Sequence, residues 1–226
     1  MQEKIKSEGK CFFCGKTFAK AGINRHLVTH LEEKAKGEKS GRSFLVKVET
    51  DKSWGTTPYF LSLWIDGETT LKTIDKFLRD IWLECCGHLS KFEDAGMERK
   101  AKEVFEKGLL IDYEYDFGSS TLLTLAIADE YPMKADKKIV LLSRNEPLKI
   151  VCSLCGKAPA TQICSVCMYD EDAQFCDKCA KKHAKTCEDF ADYASIPIVN
   201  SPRMGVCAYE GGSIDKERDG VFVMKK

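Results

Sequence analysis

Eight soft donors fall in one short run: Cys152-x2-Cys155-x8-Cys164-x2-Cys167-x8-Cys176-x2-Cys179-x3-His183-x3-Cys187. A two-residue gap lets both thiolates of a pair reach one tetrahedral ion, and zinc takes four such donors at about 2.0–2.3 Å. Eight donors make two closed sites with no position left open for a substrate. A second run, Cys11-x2-Cys14-x11-His26-x3-His30, adds two thiolates and two imidazoles one helical turn apart, enough for a third site. The expected cofactor is Zn2+, at three ions per chain.

Helix geometry chooses the pairing in the second half. Residues Ala180 to Ala191 have helical composition, and on a helix Cys179 and Cys187 stand roughly 12 Å apart along the axis. Two ligands of one ion cannot start that far apart, whereas His183 and Cys187, at i and i+4, can share one. The expected arrangement is therefore a cross-brace, with Cys152, Cys155, Cys176 and Cys179 on one ion and Cys164, Cys167, His183 and Cys187 on the other. Sequential pairing is the alternative. The spacing resembles the MYND and B-box zinc modules, which bind proteins, and this implies a protein partner for the lobe. The alternative is a purely structural staple that lets a small lobe fold without a large core.

The N-terminal run resembles a C2H2 zinc finger, with Phe18 and Ile23 at the family's core positions. It is one residue shorter than usual between Cys14 and His26. Lys10, Lys16, Lys20 and Arg25 lie in a stretch from Gly9 to Leu31 that contains no acid. Such a surface suits phosphate, DNA or RNA. Counted back from His26, the base-reading positions are Ala19, Gly22 and Arg25, and Ala and Gly cannot donate to base edges. Sequence-specific reading by this finger alone is not expected. Backbone contact on one side, and protein docking or plain structure on the other, both stand.

The rest of the chain must position these groups. It has 226 residues, 43% hydrophobic, with zero net charge, which is enough for one sizeable core and small satellites. There is no run of ~18 apolar residues and no signal-peptide pattern, so no membrane is expected and a cytoplasmic location is. Nine of the 12 cysteines fall in zinc spacings, which fits a reducing compartment. Cys85 and Cys86 are expected to be packing residues at a helix end, and Cys207 stands too isolated to be assigned as a ligand. Met1 to Lys10 is polar and expected to fray, and Glu32 to Arg42 reads as a charged linker.

From Ser43 the pattern becomes that of an α+β domain: a mixed sheet with one dominant helix, flanked by small zinc-stabilised lobes. Strands are expected at Phe44–Glu49 and Tyr59–Asp66, and a helix from Thr70 to Cys86 with Leu71, Ile74, Leu78, Ile81, Trp82 and Cys85 on one side. A short strand at Leu89–Glu93 and a second helix at Ala95–Glu106 follow. Next come a hairpin of Ile111–Phe117 and Leu122–Ala128 around Gly118-Ser119-Ser120, and a strand at Lys138–Ser143. The order of strand, helix ending in His88-Leu89, Phe92 and then Tyr113-Glu114-Tyr115-Asp116-Phe117-Gly118 resembles the Ri-plasmid open-reading-frame-three-like family. That resemblance spans residues 43–147 and implies an α+β domain of plasmid or mobile-element type, without an established activity. Ser119, Ser120 and Thr121 stand where the family has an acid, a Trp and a His. Asn200 to Tyr209 resembles a segment of that family's longer members.

One constellation could carry chemistry in this domain. On a strand Asp112, Glu114 and Asp116 share a face, and with His88 nearby they could hold Mg2+ for phosphodiester cleavage. The bland alternative is a solvated acidic face behind an aromatic one. His88, the one histidine outside the zinc spacings, otherwise reads as a helix-end cap.

The division expected is a finger and linker at 1–42, the α+β domain at 43–147, the two-zinc lobe at 148–190 and a tail at 191–226 packing on the core. The reading leans to a non-enzymatic zinc-binding adaptor that contacts nucleic acid through the finger and protein through the zinc lobe. A metal-dependent nuclease or recombination accessory enzyme using Asp112, Glu114 and Asp116 is the alternative.

Overall fold

The sequence Phe60-Leu-Ser-Leu-Trp-Ile is apolar on both of its alternating faces, and a strand of that kind must be covered twice. The computed structural model shows how. It describes residues 7–37, 40–51 and 57–214. They fall into two compact units, Met1–Leu78 with Leu89–Glu146, and Arg79–His88 with Pro147–Lys226.

In the first unit a small hairpin, β1 (Glu8–Lys10) and β2 (Thr17–Ala19), leads into helix α1 (Ile23–Ala35). Strands β3 (Ser43–Thr50) and β4 (Phe60–Asp66) precede α2 (Leu71–Leu78). Then come β5 (Ser90–Phe92), the single turn α3 (Ala101–Val104), β6 (Leu110–Tyr115), β7 (Thr121–Tyr131) and β8 (Ile139–Arg144). The six long-range strands form one sheet in the order β5-β6-β7-β3-β4-β8. The class is α+β, and every described pairing in this sheet is antiparallel, where the sequence suggests a mixed one.

The finger is not a detached head. Ile23, Leu27 and Leu31, one stripe of α1, are fully buried in a cluster with Leu45, Phe60, Trp64 and Leu142 of the sheet. Fully burying one such side chain is worth roughly 1.5–3 kcal/mol. Consequently residue 42 does not separate two compact units. Glu32–Ala35 continues α1 rather than opening a linker, and Arg42 holds Glu130 at 2.6 Å. Nor do residues 8–10 fray; residues 1–6 lie outside the described set.

The hairpin also covers the edge of β8. Phe12 N–H donates to Leu142 O at 2.8 Å, Glu146 N–H donates to Glu8 O at 2.7 Å, and Gly9 bridges Asn145. Gly9 comes so close that a Cβ there would stand 2.5 Å from the Arg144 carbonyl oxygen, so only glycine fits.

Thr70 caps α2 as its type suggests, accepting from Thr73 N–H at 3.3 Å. The expected helix at Ala95–Glu106 shrinks to α3. Carbonyls of Met97 and Arg99 are used up on the first amides of α2, at Lys72 and Leu71, which keeps that stretch extended.

The second unit opens with a π-helical stretch, Arg79–Leu83, so the expected helix to Cys86 changes character after Leu78. A three-stranded antiparallel sheet, β10-β9-β11, uses β9 (Gln162–Cys164), β10 (Gln174–Phe175) and β11 (Ser195–Pro197). Helix α4 (Asp177–His183) follows β10. Among the described residues of this unit, two small apolar clusters form, one around Phe175 and Phe190 and one around Ile163, Ile196 and Ile198. Clusters this small are of the kind that small domains supplement with metal cross-links.

Candidate metal centres

A zinc ion with bonds of about 2.3 Å to sulfur and 2.05 Å to nitrogen sets the edges of its tetrahedron at about 3.8 Å (S–S), 3.6 Å (S–N) and 3.3 Å (N–N). The three expected tetrads are all assembled, each with its ligand atoms within 4.8 Å of one another.

In the first, a tight knuckle places the thiolates: Gly15 N–H donates to Cys11 O at 2.8 Å, and Gly15 takes φ +69° to close it. His26 and His30 project one turn apart from α1, Nε2 to Nε2 at 3.1 Å, and His26 Nε2 lies 3.2 Å from Cys14 Sγ. Phe18 stacks on His26 at 4.0 Å and fixes its ring. Burial, then His30 and Lys16, hold His26 below the ordinary imidazole value, which keeps the neutral form a metal needs. Cys11 is buried against the sheet and Cys14 is exposed.

The other two tetrads are cross-braced. Cys152, Cys155, Cys176 and Cys179 converge in one place, and Cys164, Cys167, His183 and Cys187 in the other. α4 ends at His183, short of the Ala180–Ala191 helix expected. A further helical bond, Cys187 N–H to His183 O at 2.9 Å, still keeps those two ligands one turn apart. Cys167 Sγ lies 3.8 Å from Cys187 Sγ and 3.6 Å from His183 Nε2, matching the S–S and S–N edges of a zinc tetrahedron. His183 is clamped between Phe175, stacked at 4.4 Å, and Phe190, edge-on at 4.9 Å. In the all-thiol tetrad the amides of Ala158 and Lys157 pull the Cys155 thiol down to about 6, giving a thiolate at neutral pH. Burial, with crowding by Cys164 and Cys187, pushes Cys167 up to about 12. A bound dication reverses such crowding, because a coordinating thiol is deprotonated outright.

The structure also gathers Cys85, Cys86, His88 and Cys207, which the sequence reading leaves as two packing residues, a cap and an unassigned thiol. The signal was arithmetic. The chain holds 12 cysteines and four histidines, and the three spaced tetrads use nine and three of them. What remains is one more Cys3His set.

The nucleic-acid candidates divide. Lys10, Lys16 and Arg25 are exposed around the finger. Lys20 is not available: its ammonium pairs with Glu49 at 2.7 Å and donates to the Thr57 carbonyl at 2.7 Å. Ala19 lies in β2 and Gly22 is the N-cap of α1, so two of the three base-reading positions precede the helix.

The β6 carboxylates do not converge. Asp112 accepts from Thr124, and Glu114 accepts from Ser120 and lies 3.5 Å from Lys91. Asp116 has left the strand: at φ +66° it is buried and accepts from the amides of Gly118 and Ser119. Among the described residues this trio is not one of the clusters able to hold a metal, and His88 stands in the Cys3His set instead.

No protein-family model matches the chain, and no curated protein does. Among solved structures, a protein of unknown function from Methanosarcina mazei Go1 is similar at 17% identity and a TM-score of 0.36. The match covers 43% of this chain and 65% of that one. A likeness of that size does not bear on what either protein does. What the chain shows on its own residues is an α+β protein with Cys/His clusters suited to metal. No helix among its described residues is long and apolar enough to cross a membrane.

Proposed function

We propose that the protein is a non-catalytic, zinc-stapled adaptor of the plasmid or mobile-element type that the Ri-plasmid resemblance implies. It contacts nucleic acid through Lys10, Lys16 and Arg25 and protein through the cross-braced lobe. The observation that carries the reading is the closed donor count: each expected tetrad already supplies four Cys or His ligands, the pattern of structural rather than catalytic zinc. The dispersal of Asp112, Glu114 and Asp116 weighs against the nuclease alternative. The lobe presents large apolar side chains to solvent, with Leu154 and Tyr169 57% and 73% exposed, and these suit protein docking.

Deleting the finger cannot test this, because α1 is part of the sheet unit's core. The test is a salt titration of DNA and RNA binding by the full chain and by a Lys10→Ala/Lys16→Ala/Arg25→Ala variant. Three phosphate contacts contribute roughly 0.9 each on B-DNA, so the variant should flatten the slope of log K against log salt by up to about 2.7. Equal affinity and slope in both proteins would remove the nucleic-acid half.

A further inference from the structure

Cys85, Cys86 and His88 leave the π-helical stretch on a reversal built by Gly87. Its φ of +78° is open to glycine, and its N–H donates to Glu84 Oε1 at 2.6 Å. That reversal turns Cys86 Sγ and His88 Nε2 to within 3.0 Å of each other. The fourth donor arrives from 121 residues away: Cys207 Sγ stands 3.4 Å from Cys86 Sγ and 3.7 Å from His88 Nε2, and Cys85 Sγ is 3.4 Å from Cys86 Sγ. The Cys207–His88 edge has the length expected for zinc, about 3.6 Å, and those through Cys86 are within about 0.6 Å of it. Cys207 holds φ +52°, a conformation uncommon for a residue other than glycine.

Independent bonds bring the two segments together. Ser201 Oγ donates to Trp82 O at 2.7 Å, and Ile214 N–H to Asp80 O at 3.1 Å. Arg203, fully buried, donates from Nη2 to Cys85 Sγ at 3.4 Å. A dication with three thiolates and a neutral imidazole carries one net negative charge. The guanidinium at the Cys85 sulfur is the matching positive one, an outer-shell partner of the kind metal thiolates favour.

We propose that Cys85, Cys86, His88 and Cys207 hold a fourth metal ion, a zinc-type cation by its sulfur-rich donors, which clamps the C-terminal segment to Arg79–His88. The clamp explains why the tail packs on this stretch of its own unit. Two of its four ligands, Cys86 and Cys207, are exposed, more than in any other tetrad. This ion is therefore the first to leave when a chelator competes.

The test is zinc stoichiometry of the full chain by elemental analysis, with chelator-release kinetics, for wild type, Cys86→Ser and Cys207→Ser. Four equivalents are expected in wild type, one per tetrad. A single fast-releasing equivalent should be missing from each variant, with far-UV circular dichroism unchanged. Three equivalents in the wild type would overturn the assignment, whether Cys86 and Cys207 are then freely alkylated or joined as a disulfide. So would four equivalents retained in both variants. The wild-type count and release phases decide the matter even if a variant fails to fold.

Discussion

Replacing Leu27 by Ala tests whether the finger and the sheet are one folding unit. Leu27 is fully buried between α1 and the sheet, in the cluster that includes Phe60, Trp64 and Leu142. Truncating a leucine in such a place costs about 2–5 kcal/mol. For a unit of this size each kcal/mol lowers the midpoint by roughly 3–4 °C, so a loss of roughly 6–20 °C is expected in the metal-loaded protein. Amide exchange gives the local readout. If α1 and the sheet open together, exchange at Leu63, Val140 and Leu142 should speed up by roughly 30- to 5,000-fold, the same free energy at about 1.4 kcal/mol per decade. A variant in which α1 loses protection while β4 and β8 keep theirs would refute the docking argument. It would restore the finger as an independent head.

Two further predictions follow from the site geometry. Cadmium-loaded His183→Cys should move a single metal resonance from a three-sulfur to a four-sulfur environment, and the Cys152/Cys155/Cys176/Cys179 resonance should stay put. Movement of both, or of a resonance tied to Cys176 and Cys179, would break the cross-brace. Glu49 makes stability depend on pH. Burial raises its carboxyl, but hydrogen bonds from Lys20 and Lys47 outweigh this and leave it below the ordinary value. A depressed folded pKa means stability that is present above the unfolded value and lost as pH falls through the folded one. The stability difference between wild type and Glu49→Gln should therefore be full at neutral pH and shrink below the ordinary carboxylate range. Acid release of any bound metal would be common to both proteins and cancel. A difference that persists unchanged at low pH would show that the Lys20–Glu49–Lys47 contact does not act through charge.

Local chemistry was the legible part of the sequence. The grouping of the finger's four Cys and His side chains and the cross-braced grouping follow from spacings within one turn or one knuckle, and with a shorter α4 the bond from Cys187 N–H to His183 O still keeps those two side chains one turn apart. The strands and the β6–β7 hairpin were legible from alternation and turn residues. Three features were not, each because the deciding contact is distant in sequence. Residues 95–106 look helical in composition, but the carbonyls of Met97 and Arg99 serve α2. The Cys3His set needs Cys207 beside Cys86, and no spacing rule spans that gap. Ile23, Leu27 and Leu31 read equally well as the finger's own core; the counter-signal lay in β4, whose apolar run demands a cover on both faces.

The hairpin that lies along β8 has a consequence beyond stability. β8 is an outer strand of the six-stranded sheet, and its edge is covered by Glu8, Gly9 and Phe12, which flank the Cys11–Cys14 knuckle. Strand edges left bare recruit other chains. A metal ion held by Cys11, Cys14, His26 and His30 would thus act as a guard on self-association: starved of metal, the chain would offer β8 as a template for a neighbouring strand, with aggregation preceding any loss of the sheet itself.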